Sequence, residues 1–266
     1  MKKNILALVI ALFAVIQTMA QTYDNLWKQA DAYRQKDLPK SEIGVMRKIS
    51  AKASASKDYG QLLAAEMRQT MLWKSISTDS LTPAIQRLRL QEQHTADPML
   101  KAVWNAVLGK LYKENVYYID AGDEEVANKR YRVNRAKAQA YFMKALAQPE
   151  LLTRHASTEY APLTMRGLDG ASFGNDMLHL IGFEADSKEA YLKMYTYYNK
   201  VGNRGAACLC AFEVIQKYRQ DDVREVKKSK YLNAIDSLIH VYQDIPEAGE
   251  LAVEHYRFME EATDIK

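Results

Sequence analysis

Between Tyr191 and Ile215 the chain reads YLKMYTYYNKVGNRGAACLCAFEVI, and no other stretch restricts its fold as much. Apolar residues fall at Tyr191, Leu192, Met194, Tyr195 and Tyr198, the three-to-four spacing of one helix face. Asn199-Lys200-Val201-Gly202-Asn203 interrupts the pattern, and Gly202 can take the positive φ that ends a helix. Beyond it a second helix is predicted, with small Ala206, Ala207 and Ala211 beside Leu209, Phe212 and Ile215. Small residues at fixed places let two helix backbones approach closely. The stretch therefore predicts a tight helical hairpin.

This pattern resembles a tetratricopeptide (TPR) repeat. Tyr191, Met194, Tyr195 and Tyr198 fall at the packing positions of its first helix, and Ala207, Ala211 and Val214 at those of its second. The rest of the chain agrees on the fold class. With 11 Gly, 6 Pro and no long alternation of apolar and polar residues, a sheet is disfavoured. Helices are predicted from about Tyr23 to Lys36 and then through Ile43, Met46 and Ile49. A third follows with Leu62, Leu63, Met67, Met71, Leu72 and Ile76 as its buried stripe. Thr82-Pro83, Asp97-Pro98 and Pro246 read as helix starts, since proline suits the first helical position. The helix after Asp97 pairs with Ala138, Phe142 and Ala145, and Glu114 to Arg130 reads as an insertion at the turn between them. A long helix is expected from about Asp221 to Asp244. The expectation is all-α: stacked helical hairpins forming a TPR-like α-solenoid over residues 21–266, with no linker dividing it.

Residues 1–20 read as a secretory signal. Lys2 and Lys3 precede an unbroken apolar run from Ile5 to Ile16, too short for a membrane span. Small residues in Thr18-Met19-Ala20 make Gln21 the expected mature start. With no Cys near the cut, a bacterial lipid anchor is not expected, and the chain is expected to be exported to the periplasm or cell envelope. The 37 basic residues exceed the 33 acidic ones by four, and by two without Lys2 and Lys3. No basic stripe is dense enough to imply nucleic acid, and the richest run, Lys227 to Lys230, reads as a solvated helix face. No later stretch is long and apolar enough to span a bilayer.

Little in the chain points to chemistry. Cys208 and Cys210 lie two apart in one helix and so face different ways, which predicts two buried, inert thiols without a disulfide. The acidic run Asp120 to Glu125 lacks the ligand spacing of a calcium loop, the five histidines form no metal-binding pair, and no glycine loop cradles phosphate. No metal and no cofactor are expected. One enzymatic alternative stands on Ser172, Asp176 and His179, the last two sharing a helix face. No nucleophile elbow or oxyanion hole surrounds them. The competing reading is a helix-start aspartate and a half-buried histidine hydrogen-bonded within the fold. The 17 Tyr supply contact area. Tyr197 lies off the Tyr191–Met194–Tyr198 face, and it and the pair Tyr117-Tyr118 are the candidate partner-binding residues.

Several stretches together look like the amino-terminal helical region of the large alpha-2-macroglobulin-like exported proteins of Bacteroidetes. They are Leu26-Trp27-Lys28-Gln29, Lys36-Asp37-Leu38-Pro39-Lys40-Ser41, Asp79-Ser80-Leu81, Leu108-Gly109-Lys110-Leu111-Tyr112, Asn175-Asp176-Met177-Leu178-His179 and Gly202-Asn203-Arg204. In that family, protease trapping resides in macroglobulin β-sandwich domains and, in some members, a Cys-Gly-Glu-Gln thioester. This chain has neither, and Cys208 stands in Cys-Leu-Cys-Ala, so no thioester role carries over. A solenoid presents an extended groove and no converging polar groups stand out, so the expectation is a non-catalytic scaffold that binds a protein or peptide partner, as the leading region of a macroglobulin-like assembly. A hydrolase or a glycan-binding protein of the cell envelope is the alternative.

Overall fold

A computed structural model describes residues 22–77, 81–114, 124–220 and 228–263. The expected leader, Tyr117 and Tyr118, and Asp120 to Asp123 of the acidic run lie outside these residues. The described residues are all-α, with twelve α-helices and no strand. They gather into two compact units: the first comprises those up to His94 together with Thr158–Met165, the second Thr95–Ser157 and those from Arg166 onward. The chain passes to the second unit at Thr95, returns to the first for Thr158–Met165, and resumes the second at Arg166.

In the first unit, α1 (Tyr23–Gln35), α2 (Pro39–Ser56), α3 (Tyr59–Ile76) and α4 (Leu81–His94) each pack on the next. Local chemistry sets the ends. The Thr22 hydroxyl accepts from the Asn25 amide at 3.3 Å, and Pro39 opens α2. Asp37 and Lys57 take left-handed backbone at the two turns, with φ of +52° and +57°. Asp58 caps α3 by accepting from the Gln61 amide at 3.3 Å. Leu26, Ala30, Val45, Met46, Ile49 and Ala65 make one core cluster. The returning segment closes over Gly60, where a Cβ would overlap the Ala161 carbonyl oxygen and lie 2.7 Å from the Tyr160 carbonyl carbon.

The buried stripe of α3 differs from expectation. Of the six apolar residues predicted to line it, Leu63 is buried, whereas Leu62, Met67, Met71, Leu72 and Ile76 are half-buried. Glu66, Gln69 and Thr70 are buried instead. The reason is that α3 packs on α2 on one side and α4 on the other. The apolar residues spread over both flanks, and a polar strip is enclosed between them.

The second unit is built from α5 (Pro98–Glu114), α6 (Glu124–Ala145), the short α7 (Pro149–Leu152), α8 (Met177–Ala185), α9 (Lys188–Lys200), α10 (Arg204–Gln220), α11 (Lys228–Tyr242) and α12 (Ala248–Thr263). Leu100, Val103, Trp104, Val107, Leu108 and Leu111 of α5 are buried, as are Ala138, Phe142 and Ala145 of α6, against which α5 packs. Gly109 admits Phe142, since a Cβ there would stand 2.9 Å from its ring. α6 begins at Glu124, so residues 124–130, expected in the insertion, are helical, although nothing in Glu124–Lys137 is buried. The central hairpin forms as α9 and α10, with Gly202 at φ +79° in the turn. Tyr191, Met194 and Tyr198 are buried, and Leu192 is exposed. α8 is buried most of the way round, through Met177, Leu178, His179, Ile181, Gly182 and Ala185, and touches α5, α6, α7 and α9. Cys208 joins Tyr231, Ile235, Tyr242, Ala248 and Leu251 in the core shared by α10, α11 and α12. Among the described residues no helix is long and apolar enough to cross a membrane.

Candidate functional site

The residues of the enzymatic alternative do not converge. Ser172 Oγ donates to Glu247 Oε1 at 2.8 Å, away from the histidine. Asp176 caps α8, its Oδ1 accepting the His179 amide at 2.8 Å, and the Tyr198 hydroxyl donates to the same carboxylate at 2.9 Å. His179 is only 1% exposed, and neither ring nitrogen has a hydrogen-bond partner. It is therefore fully buried and unbonded, where a half-buried, hydrogen-bonded histidine was expected. Its ring stacks on Phe173 with centroids 4.0 Å apart and meets the Phe183 ring edge-on at 4.6 Å. Gly167 makes room for it, because a Cβ there would lie 2.7 Å from the imidazole Cε1. Burial lowers the His179 pKa to about 4, with Asp169 pulling the other way. Burial raises the Asp176 carboxyl to about 6, although the His179 amide and the Tyr198 hydroxyl pull it down. At neutral pH the imidazole is uncharged, and the two groups do not touch through a ring nitrogen. The arrangement positions helix α8, and neither His179 ring nitrogen meets a hydroxyl.

The thiols are also withdrawn. Cys208 and Cys210 are free and buried. Burial, helped by Glu247, pushes Cys208 up to about 12, and burial, helped by Glu213 and Asp176, pushes Cys210 well up. Both shifts disfavour the thiolate that nucleophilic or metal chemistry needs. Tyr197 is half-buried, with its hydroxyl 2.8 Å from Thr153 Oγ1 and its ring edge-on to Tyr198 at 5.6 Å. It offers part of its ring to solvent while the hydroxyl is engaged.

Converging polar groups occur instead in the first unit, in residues the sequence did not single out. A cavity of about 600 Å³ is lined by Arg47 and Ser50 of α2, Glu66, Gln69 and Trp73 of α3, and Pro83, Ala84 and Arg87 of α4. Each helix contributes residues three or four apart, which is one face of each. Its volume is that of ordinary small-ligand sites. Arg87 is held in place: its Nη1 lies 2.7 Å from Glu66 Oε2, an ion pair too bent for a good hydrogen bond. With the Gln69 amide oxygen turned toward it, Arg87 also donates to that oxygen from both terminal nitrogens at 3.0 Å. Arg47 is exposed and sits over the Trp73 ring, 6.0 Å from its centroid. The Ser50 hydroxyl is buried without a hydrogen-bond partner. Two guanidinium groups, one carboxylate and an indole thus line one space, with a net charge of about +1, and the Ser50 hydroxyl is enclosed in its wall.

The signal that could have revealed this site is the polar trio Glu66, Gln69 and Thr70, set at helical spacing among the apolar residues of α3. Among the described residues no group of His, Cys, Asp and Glu is arranged to hold a metal ion. Compared with protein-family models, with curated proteins and with solved structures, the chain matches none.

Proposed function

We propose that this chain is an exported, non-catalytic helical-repeat protein, TPR-like in its hairpins, that serves as a scaffold binding a protein or peptide partner. The observation that carries the reading is the cavity between α2, α3 and α4. Of its two cations Arg87 is paired with Glu66 and Arg47 lies over the Trp73 ring, an arrangement that suits recognition of an anionic group. The disposition of Ser172, Asp176 and His179 agrees with this, because each is engaged elsewhere or enclosed. Within the units α2 and α3, α5 and α6, and α9 and α10 pack as pairs, as repeats that bury each other's faces do. The resemblance to the leading region of macroglobulin-like proteins and the apolar leader before Gln21 support a role for such a scaffold in the cell envelope. The half-exposed Tyr197 is a second contact point in this reading.

The test is capture of partners from an envelope extract by the chain from Gln21 to Lys266, with Arg47→Met and Tyr197→Ala beside it. A specific protein retained by the parent and lost in either variant is the expected result. A purified chain that holds no protein or peptide but hydrolyses or binds a glycan would overturn the proposal.

A further inference from the structure

We infer that the cavity between α2, α3 and α4 seats a carboxylate at the end of an apolar stem, and that its natural source is the carboxyl terminus of a peptide; the choice of source rests on the scaffold reading above. Arg47 supplies the charge. Its five N–H donors meet no carboxylate among the described residues, and its one contact there is the Trp73 ring. Ser50, three residues further along the same face of α2, lines the wall with its hydroxyl enclosed and without a partner. Across the cavity, Arg87 is already matched by Glu66 and oriented by Gln69. It lends positive potential without offering a free fork.

Charge decides between anions. With Glu66 in the wall, the net charge near +1 balances a single carboxylate and leaves a phosphate dianion uncompensated beside a like charge. A guanidinium is matched in geometry to a carboxylate, which it can grip through two parallel hydrogen bonds. The apolar part of the wall, Trp73, Pro83 and Ala84, suits the side chain next to the carboxylate. The cavity is large enough for a peptide end.

Trp73 is a reporter built into the wall. The chain has three tryptophans, Trp27, Trp73 and Trp104, so three indole N–H signals are expected from the 15N-labelled protein. Each is assigned by its own Trp→Phe variant. Three probes are added in turn: acetyl-Ala-Leu-Phe with a free carboxylate, the same peptide as its carboxamide, and 4-phenylbutyrate. The expected result is that the free-acid peptide moves the Trp73 signal, and that the amide binds at least about tenfold more weakly. Arg47→Met should weaken the acid by a similar factor, and Arg47→Lys less. Arg47 is exposed, so its substitution should leave the fold intact, and far-ultraviolet circular dichroism checks this. Acid and amide binding equally, or Arg47→Met binding like the parent, overturns the carboxylate seat. Phenylbutyrate binding as tightly as the peptide upholds the seat and overturns the peptide as its source. If no acid moves Trp73 while a partner is still captured from the extract, this inference falls and the scaffold stands. If neither acid nor partner is bound, both fall.

Discussion

Asp176 and His179 impose opposite pH dependences on stability that nearly cancel, and single substitutions should expose each one. The Asp176 carboxyl is raised from 3.8 to about 6 in the folded chain. Between these values the folded state holds a proton that the unfolded state has lost, so stability falls as pH rises through the window. His179 is lowered from 6.5 to about 4, and between these values the unfolded state holds the extra proton, so stability rises with pH. Each slope is about 1.4 kcal/mol per pH unit, or ~3 kcal/mol over its window, and from pH 4 to 6 they oppose one another. Asp176→Asn keeps one acceptor oxygen for the His179 amide and the Tyr198 hydroxyl and removes the titration, at a pH-independent cost from replacing the second oxygen with a donor. Relative to the parent, it should gain about 3 kcal/mol as pH rises from 4 to 6. His179→Phe keeps an aromatic ring against Phe173, and relative to the parent it should gain a similar amount as pH falls from 6.5 to 4. Urea unfolding reads both differences. With Trp27 and Trp73 replaced by Phe, the buried Trp104 reports on the second unit alone. Variant-minus-parent differences that stay flat from pH 4 to 7 would refute the reasoning.

Three further outcomes are expected. Gly60→Ala drives a Cβ into the backbone of Tyr160 and Ala161 and should cost about 2–3 kcal/mol, whereas Gly182→Ala meets the flexible end of Met194 and should cost less; thermal melts rank the two. Arg87→Met leaves the buried Glu66 without its cation and should lose about 2 kcal/mol, most of it restored by adding Glu66→Gln, a coupling that a double-mutant cycle measures. Cys208 and Cys210 should stay unmodified by an aromatic disulfide reagent until denaturant is added, and rapid reaction of the native chain would contradict their enclosure.

Much of the helix plan could be read from local chemistry. Asp97-Pro98 marks a true start, since the Asp97 carboxylate accepts the Leu100 amide at 2.6 Å and Pro98 opens α5. The Gly202 turn and the Tyr191–Met194–Tyr198 face depend on neighbours in sequence and were visible for that reason. The first half of α6 was not visible, because nothing there is buried and no apolar period betrays it. Its helicity fits the charge order, with Glu124 and Glu125 at the start and Lys129, Arg130, Arg132 and Arg135 beyond. The cavity was hidden by distance along the chain. Arg47, Trp73 and Arg87 meet only once three helices have packed, and no single window contains them. His179 was misjudged in the opposite direction: a histidine two residues from Met177 and Ile181 suggests a satisfied polar group, yet flanking aromatic rings enclose both nitrogens.

The return of Thr158–Met165 to the first unit bears on how the protein is made. A ribosome that has finished α4 has not yet delivered the segment that closes over Gly60. Until residue 165 emerges, α3 must wait with its start uncovered while α5 and α6 are already being synthesised. The amino-terminal helices are thus first to appear and not first to be complete. A break after His94 would yield a fragment lacking its last structural piece, whereas a piece supplied in trans as a short peptide could restore it.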